Sequence, residues 1–296
     1  MNFFKLIDQL AEVDPDVLDR FNSRRAVFNS LGTAAKRSAL AATPLLLSGL
    51  FQKAYAGTTS TPVEVLQYAL TLELFEQDFY KKVQASALYL AAAAEDKAAI
   101  DQIKKHEDSH VTLLNTTIKG LGGTPVTGVT FKSSKFATLV TFKTGPAATS
   151  QLGIAQLLED TGVRAYKGRA VELLGTDLLT VALQIHSVEA RHAAKIRTMR
   201  GQRPWVNPAD DLASDPTYGS GVTGTTPPST TSPFGYGIPA YTAPSPIENN
   251  TTQAGVAITT GLGATYTAAD AAASFDEYLQ AAEVLDASRA GGLVGA

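Results

Sequence analysis

Glu107-Asp108-Ser109-His110 and Glu189-Ala190-Arg191-His192 are the two stretches whose reading decides the fold. Each sets a histidine three residues after a glutamate. On a helix, positions i and i+3 share a face, so a carboxylate and an imidazole can grip one divalent ion together. With 12 Glu and four His in 296 residues, about 0.16 such spacings are expected by chance, and the chain has two. Ile103, Val111 and Leu114 flank the first pair at helical spacing, and Ile185 and Ile196 the second, so both pairs are expected to face inward.

Working outward, each pair is preceded by a helix with a glutamate seven residues before a tyrosine: Glu73 and Tyr80, then Glu159 and Tyr166. The chain thus holds the same two-helix unit twice. The four carboxylates of Glu73, Glu107, Glu159 and Glu189 and the imidazoles of His110 and His192 supply six ligands for two metal ions, whose charge offsets that of the carboxylates. Without metal, so many converging carboxylates are costly to bury. Glu76, one turn beyond Glu73, is the alternative that would replace or supplement it, but the matching tyrosine offset favours Glu73. His186, three residues before Glu189, is expected with Tyr80 and Tyr166 next to the ligands, whereas His106 is expected off the ligand face.

The first helix starts at Thr61-Pro62-Val63-Glu64, where Thr61 caps, Pro62 presets the first helical φ and Glu64 closes a capping box. It runs to about Ser86. The second spans about 96–119, the third follows Pro146 and reaches Leu174, and the fourth runs from near Thr176 to Arg200. Between the middle helices, residues 120–145 form a long connection that lets the second and third helices run parallel. Beyond Arg203 the composition changes. Residues 204–288 hold no Lys or Arg, and 204–246 carry nine of the 14 prolines. That segment cannot form a core of its own and reads as a strap or linker, with Trp205, Tyr218, Phe234, Tyr236 and Tyr241 as anchors favouring the strap. A last helix is expected over 268–288. The resulting division is a signal segment 1–56, a four-helix bundle 57–203, the strap or linker 204–266, and a terminal helix and tail 267–296.

At the other end, Ser23-Arg24-Arg25-Ala26-Val27-Phe28, the apolar run 40–51 and Ala54-Tyr55-Ala56 follow the order of a twin-arginine export signal with its cleavage site. The run is too short for a permanent membrane span, and Pro44 interrupts it. Export to the periplasm or the exterior is therefore the expectation. Composition narrows the chemistry further. There is no cysteine, which removes thiol catalysis, cysteine-held zinc and iron–sulfur clusters. A net charge of −3 without long runs of like charge disfavours nucleic-acid binding.

Leu72-Glu73-Leu74-Phe75-Glu76-Gln77-Asp78-Phe79-Tyr80, His106-Glu107-Asp108-Ser109-His110, Leu158-Glu159-Asp160-Thr161-Gly162-Val163 and Glu189-Ala190-Arg191-His192-Ala193 resemble the ferritin-like superfamily of carboxylate-bridged dimetal proteins. They look most like its exported ferritin-like domain family, which includes plant desiccation-related proteins. The resemblance covers about residues 61–201. It implies an all-α ferritin-like four-helix bundle with a long crossover between helices two and three, and Glu73, Glu107, His110, Glu159, Glu189 and His192 as metal ligands. Two Fe or Mn ions are expected, Fe preferred, with O₂ or peroxide as reactant and a homodimer as the candidate assembly. Glu107 and Glu159 are the expected bridging ligands, and no catalytic residue is assigned beyond the ligands. The competing expectations are a non-catalytic stress or desiccation scaffold and, more weakly, a cage-forming iron store.

Overall fold

The computed structural model describes residues 60–207, 210, 231–239, 241, 245–248, 250–253, 255–261, 267–286 and 293–295. All of these belong to one unit, 57–296. The twin-arginine-type segment and Tyr218 lie outside the described residues. Four long helices carry the architecture: α1 (Pro62–Ala85), α2 (Ala94–Gly120), α3 (Gln151–Ala170) and α4 (Leu178–Met199).

The ends of these helices follow from local chemistry. Thr61 Oγ1 accepts from the Glu64 amide while the Glu64 carboxylate accepts from the Thr61 amide at 2.7 Å, so the capping box forms with Pro62 inside it. Ser150 caps α3 by accepting from the Gly153 amide at 3.2 Å. After α2 the chain turns through Gly122 at φ +80°, a conformation that favours glycine.

Helix directions can be read from the contacts. Tyr80 meets Glu159, Tyr166 meets Glu73 and Ser86 meets Gln151, so α1 and α3 are antiparallel. Gln77 bonds Asp108 and Gln84 bonds Asp101, so α1 and α2 are antiparallel as well. It follows that α2 and α3 run parallel, as the long connection requires. The first half of that connection is pinned to α1 at two points. Gln67 donates to the Thr124 carbonyl and accepts from the Val126 amide. Farther on, Phe131 is buried against Phe75 and Phe79, with ring centroids 5.3 and 5.0 Å away. Strand β1 (Thr130–Phe131) pairs antiparallel with a terminal strand, Val294–Gly295.

The segment after α4 packs on the bundle where it is described. Tyr236 is buried and its hydroxyl donates to Thr71 on α1, while Phe234, Ile238 and Tyr241 extend the core. Trp205 departs from the expectation: it is 44% exposed, with the Arg203 guanidinium over its ring, and anchors nothing in the core. The single terminal helix expected over 268–288 is also corrected. The structure has α5 (Ala268–Ser274), an extended stretch Phe275–Gln280 and α6 (Ala281–Val284). Alanine favours helix, but tertiary bonds override it here. The Leu279 amide donates to the Arg164 carbonyl at 3.1 Å, and the Arg164 guanidinium donates to the carbonyls of Glu277, Tyr278 and Pro246.

Candidate metal centre

Each long helix contributes to one buried cluster because each carries a polar residue on its inner face between apolar turns. Glu73 on α1 lies between Leu72 and Phe75, Glu107 and His110 on α2 between Ile103 and Leu114, Glu159 on α3 next to Leu158, and Glu189 and His192 on α4 between Ile185 and Ile196. All four glutamates are fully buried.

Two groups of donors form, each with ligand atoms within 4.8 Å of one another: Glu73, Glu107, His110 and Glu189, and Glu107, Glu159, Glu189 and His192. Glu107 and Glu189 belong to both. Glu159, expected to bridge with Glu107, stands in one group only, so the residues placed for sharing between the two groups are Glu107 and Glu189. The arrangement is geometric: α2 and α4 each supply a shared carboxylate and the histidine of one i, i+3 pair, while Glu73 and Glu159 each stand in one group.

His110 Nδ1 faces Glu73 Oε2 at 3.0 Å, Glu107 Oε2 at 3.3 Å and Glu189 Oε1 at 3.4 Å. His192 Nδ1 faces Glu107 Oε1 at 3.0 Å and Glu159 Oε2 at 3.1 Å. One ring nitrogen carries at most one proton, so it cannot satisfy three carboxylates at once. Among the described residues, both Glu189 oxygens are buried without a hydrogen-bond partner, and Glu107 Oε1 has the shared His192 nitrogen at 3.0 Å. Orphaned carboxylate oxygens converging with imidazole nitrogens are the donor set that a divalent first-row metal takes, so these residues fit a metal pair.

The electrostatics of the metal-free cluster agree. Burial, above all, pushes Glu107 up to about 7, and burial with four neighbouring carboxylates drives Glu189 well above the usual range. Burial works against charged imidazoles, yet Glu107 and Glu73 outweigh it and carry His110 up to about 10; Glu159 and Glu107 do the same for His192. For Glu73, burial is overcome by the hydrogen bond and charge of His110, which leave it below its usual value. The cluster thus holds protons that a metal pair would displace.

The Tyr80 hydroxyl donates to Glu159, and the Tyr166 hydroxyl donates to Glu73, so the two tyrosines cross between α1 and α3 and fix the two terminal carboxylates. Glu76 is buried beside them, and burial together with Glu159, Glu107 and Glu73 pushes its carboxyl well up. His186 does not join the cluster. Its Nδ1 donates to the Val163 carbonyl at 3.0 Å. His106, expected off the ligand face, does take part: its Nδ1 lies 2.8 Å from His192 Nε2, the two rings stack at 5.1 Å, and its Nε2 meets Gln102. It sets the ring orientation of His192 from behind. The available signal was its position one turn before His110, at i and i+4 on α2.

Residues 61–202 match the family model described as a ferritin-like domain. The helical bundle is of the ferritin-like fold class. A search of curated proteins gives no match to the chain. One helical turn from the glutamate and histidine cluster, the bundle holds a mostly apolar cavity of about 20 Å³ lined by Leu66, Ala69, Leu114, Tyr166, Arg169 and Ile185 among others. Tyr166 thus faces both the cavity and Glu73. Among the described residues, no helix is long and apolar enough to cross a membrane.

Proposed function

We propose that this ferritin-like domain binds two Fe or Mn ions, Fe preferred, and acts as an envelope oxidoreductase with O₂ or peroxide, in iron oxidation or protection from oxidants. The observation that carries the reading is the pair of donor groups sharing Glu107 and Glu189. When bound, such a metal pair supplies two-electron redox chemistry held by oxygen and nitrogen ligands. The chain's own residues do the rest. Glu107 and Glu189 span both positions, Glu73 and His110 complete one, and Glu159 and His192 complete the other. Tyr80 and Tyr166 keep their phenolic protons, because burial and the adjacent carboxylates push both pKa values well up; they orient the terminal ligands as donors. The small cavity beside Tyr166 is lined mostly by apolar side chains, with Arg169 at its wall, and has room for a molecule the size of O₂.

Export supports the same reading. The twin-arginine-type order in residues 1–56 and the absence of cysteine suit a metalloprotein carried folded to the periplasm or beyond, in the exported, desiccation-related branch of the superfamily. The test is metal content of protein purified from an envelope fraction, followed by O₂ and peroxide consumption. About two Fe or Mn per chain, with turnover lost together with metal in a Glu107→Ala/His192→Ala variant, is the expected result. Full metal without turnover would leave a scaffold, and substoichiometric metal unchanged by the substitutions would defeat the dimetal reading.

A further inference from the structure

The two halves of the centre correspond residue by residue, with one exception. On α1 and α3, Glu73 corresponds to Glu159 and Tyr80 to Tyr166, and the same offset sets Glu76 against Gly162. One half therefore carries a fifth carboxylate where the other has no side chain. A Cβ placed on Gly162 would stand 3.1 Å from Glu189 Oε2 and 3.6 Å from Glu76 Oε1, so both carboxylates reach toward the space that the missing side chain leaves. That space lies on the α1 and α3 side of the centre, while both imidazoles come from α2 and α4. Glu189 Oε2, which borders it, is buried with no hydrogen-bond partner. Glu76 itself is only 3% exposed. A carboxylate buried this deeply among others is costly in its charged form, and a cation beside it would offset that cost.

We propose that Glu76 is a seventh protein donor to the metal pair, seated in the space left by Gly162, and that it makes the two metal positions unequal. The inference rests on the dimetal reading above. Because the donor is present on one side only, the two ions differ in ligand number, and so in affinity and in spectroscopic environment. Gly162 is the second half of the device: any side chain there would crowd Glu189 and fill the place that Glu76 uses.

The test is an anaerobic titration of chelator-stripped, full-length protein with Mn(II), followed by calorimetry and electron paramagnetic resonance, with Glu76→Gln and Glu76→Asp beside the parent. The parent is expected to take up two Mn(II) per chain in two distinguishable steps. Glu76→Gln keeps the side-chain shape and should weaken one step by about 10- to 100-fold while the other is unchanged, and Glu76→Asp should recover part of that loss. Circular dichroism and melting of the metal-free variants report the fold separately. If the parent binds two ions and Glu76→Gln, folded, shows the same two steps and the same spectrum, the seventh-donor proposal is overturned while the dimetal reading survives. If the parent takes up no pair of ions, both fall together.

Discussion

His110 Nδ1 faces three carboxylate oxygens within 3.4 Å, more acceptors than one N–H can serve, and a cation placed among those donors would satisfy them together. Because Glu107 serves both positions and Glu73 one, Glu107→Gln is expected to deplete both metal positions and Glu73→Gln about half of the bound metal, as measured by mass spectrometry of purified protein. The metal-free protein has a defined pH dependence. His110 and His192 rise to about 10 and Glu107 to about 7 in the folded state, so the folded chain binds more protons than the unfolded one across roughly pH 5 to 10. Their contribution is complete at the acid end and is lost as pH rises through those values. Melting of the stripped protein should therefore move to lower temperature from pH 6 to 9, and the metal-loaded protein should show a flatter profile. Equal slopes would contradict this. Glu-x-x-His spacing brings the six ligands into view because i, i+3 proximity is a property of one helix. Which glutamate bridges, and that His106 backs His192, depend on how α2 approaches α4, and no local spacing encodes that.

At the scale of elements, the four long helices were legible because each has apolar helical spacing; α1 and α3 also have side-chain caps at Thr61 and Ser150, whereas α2 and α4 begin without one. The stretch Phe275–Gln280 was not, because its conformation is dictated by a partner more than 100 residues away. Gly168 on α3 is the key to that contact: a Cβ there would fall 1.9 Å from the Leu279 carbonyl oxygen. Gly168→Ala improves helix propensity yet should destabilise the protein by at least about 1–3 kcal/mol in chemical denaturation, since backbone faces backbone and no side chain can yield. A neutral or stabilising outcome would mean that the stretch does not dock there. Arg164 reinforces the same joint through a fully buried pair with Glu248 at 2.8 Å. Arg164→Met, which strands that carboxylate, is expected to cost about 3–5 kcal/mol, and the Arg164→Met/Glu248→Leu double variant to recover much of it.

For the whole molecule, metal taken up at this centre would add to fold stability. Ions that bind the folded centre at 100 times their Kd add about 2.7 kcal/mol, so the melting temperature should rise with added Mn(II) or Fe(II) and fall back with chelator. A variant lacking Glu107 should show no such rise. The arrangement that makes this possible is a local twofold: α1 with α2 and α3 with α4 each bring one terminal glutamate, one bridging glutamate, one histidine and one tyrosine that reaches into the other half. Each hairpin is thus half of a coordination sphere and cannot complete a metal position alone. A shorter chain encoding only one such hairpin would have to meet a copy of itself to hold metal, and joining two copies in tandem would free each to diverge. The crossover of residues 121–150 joins in one chain what would otherwise be two such hairpins, and Glu76 against Gly162 is a point at which they differ.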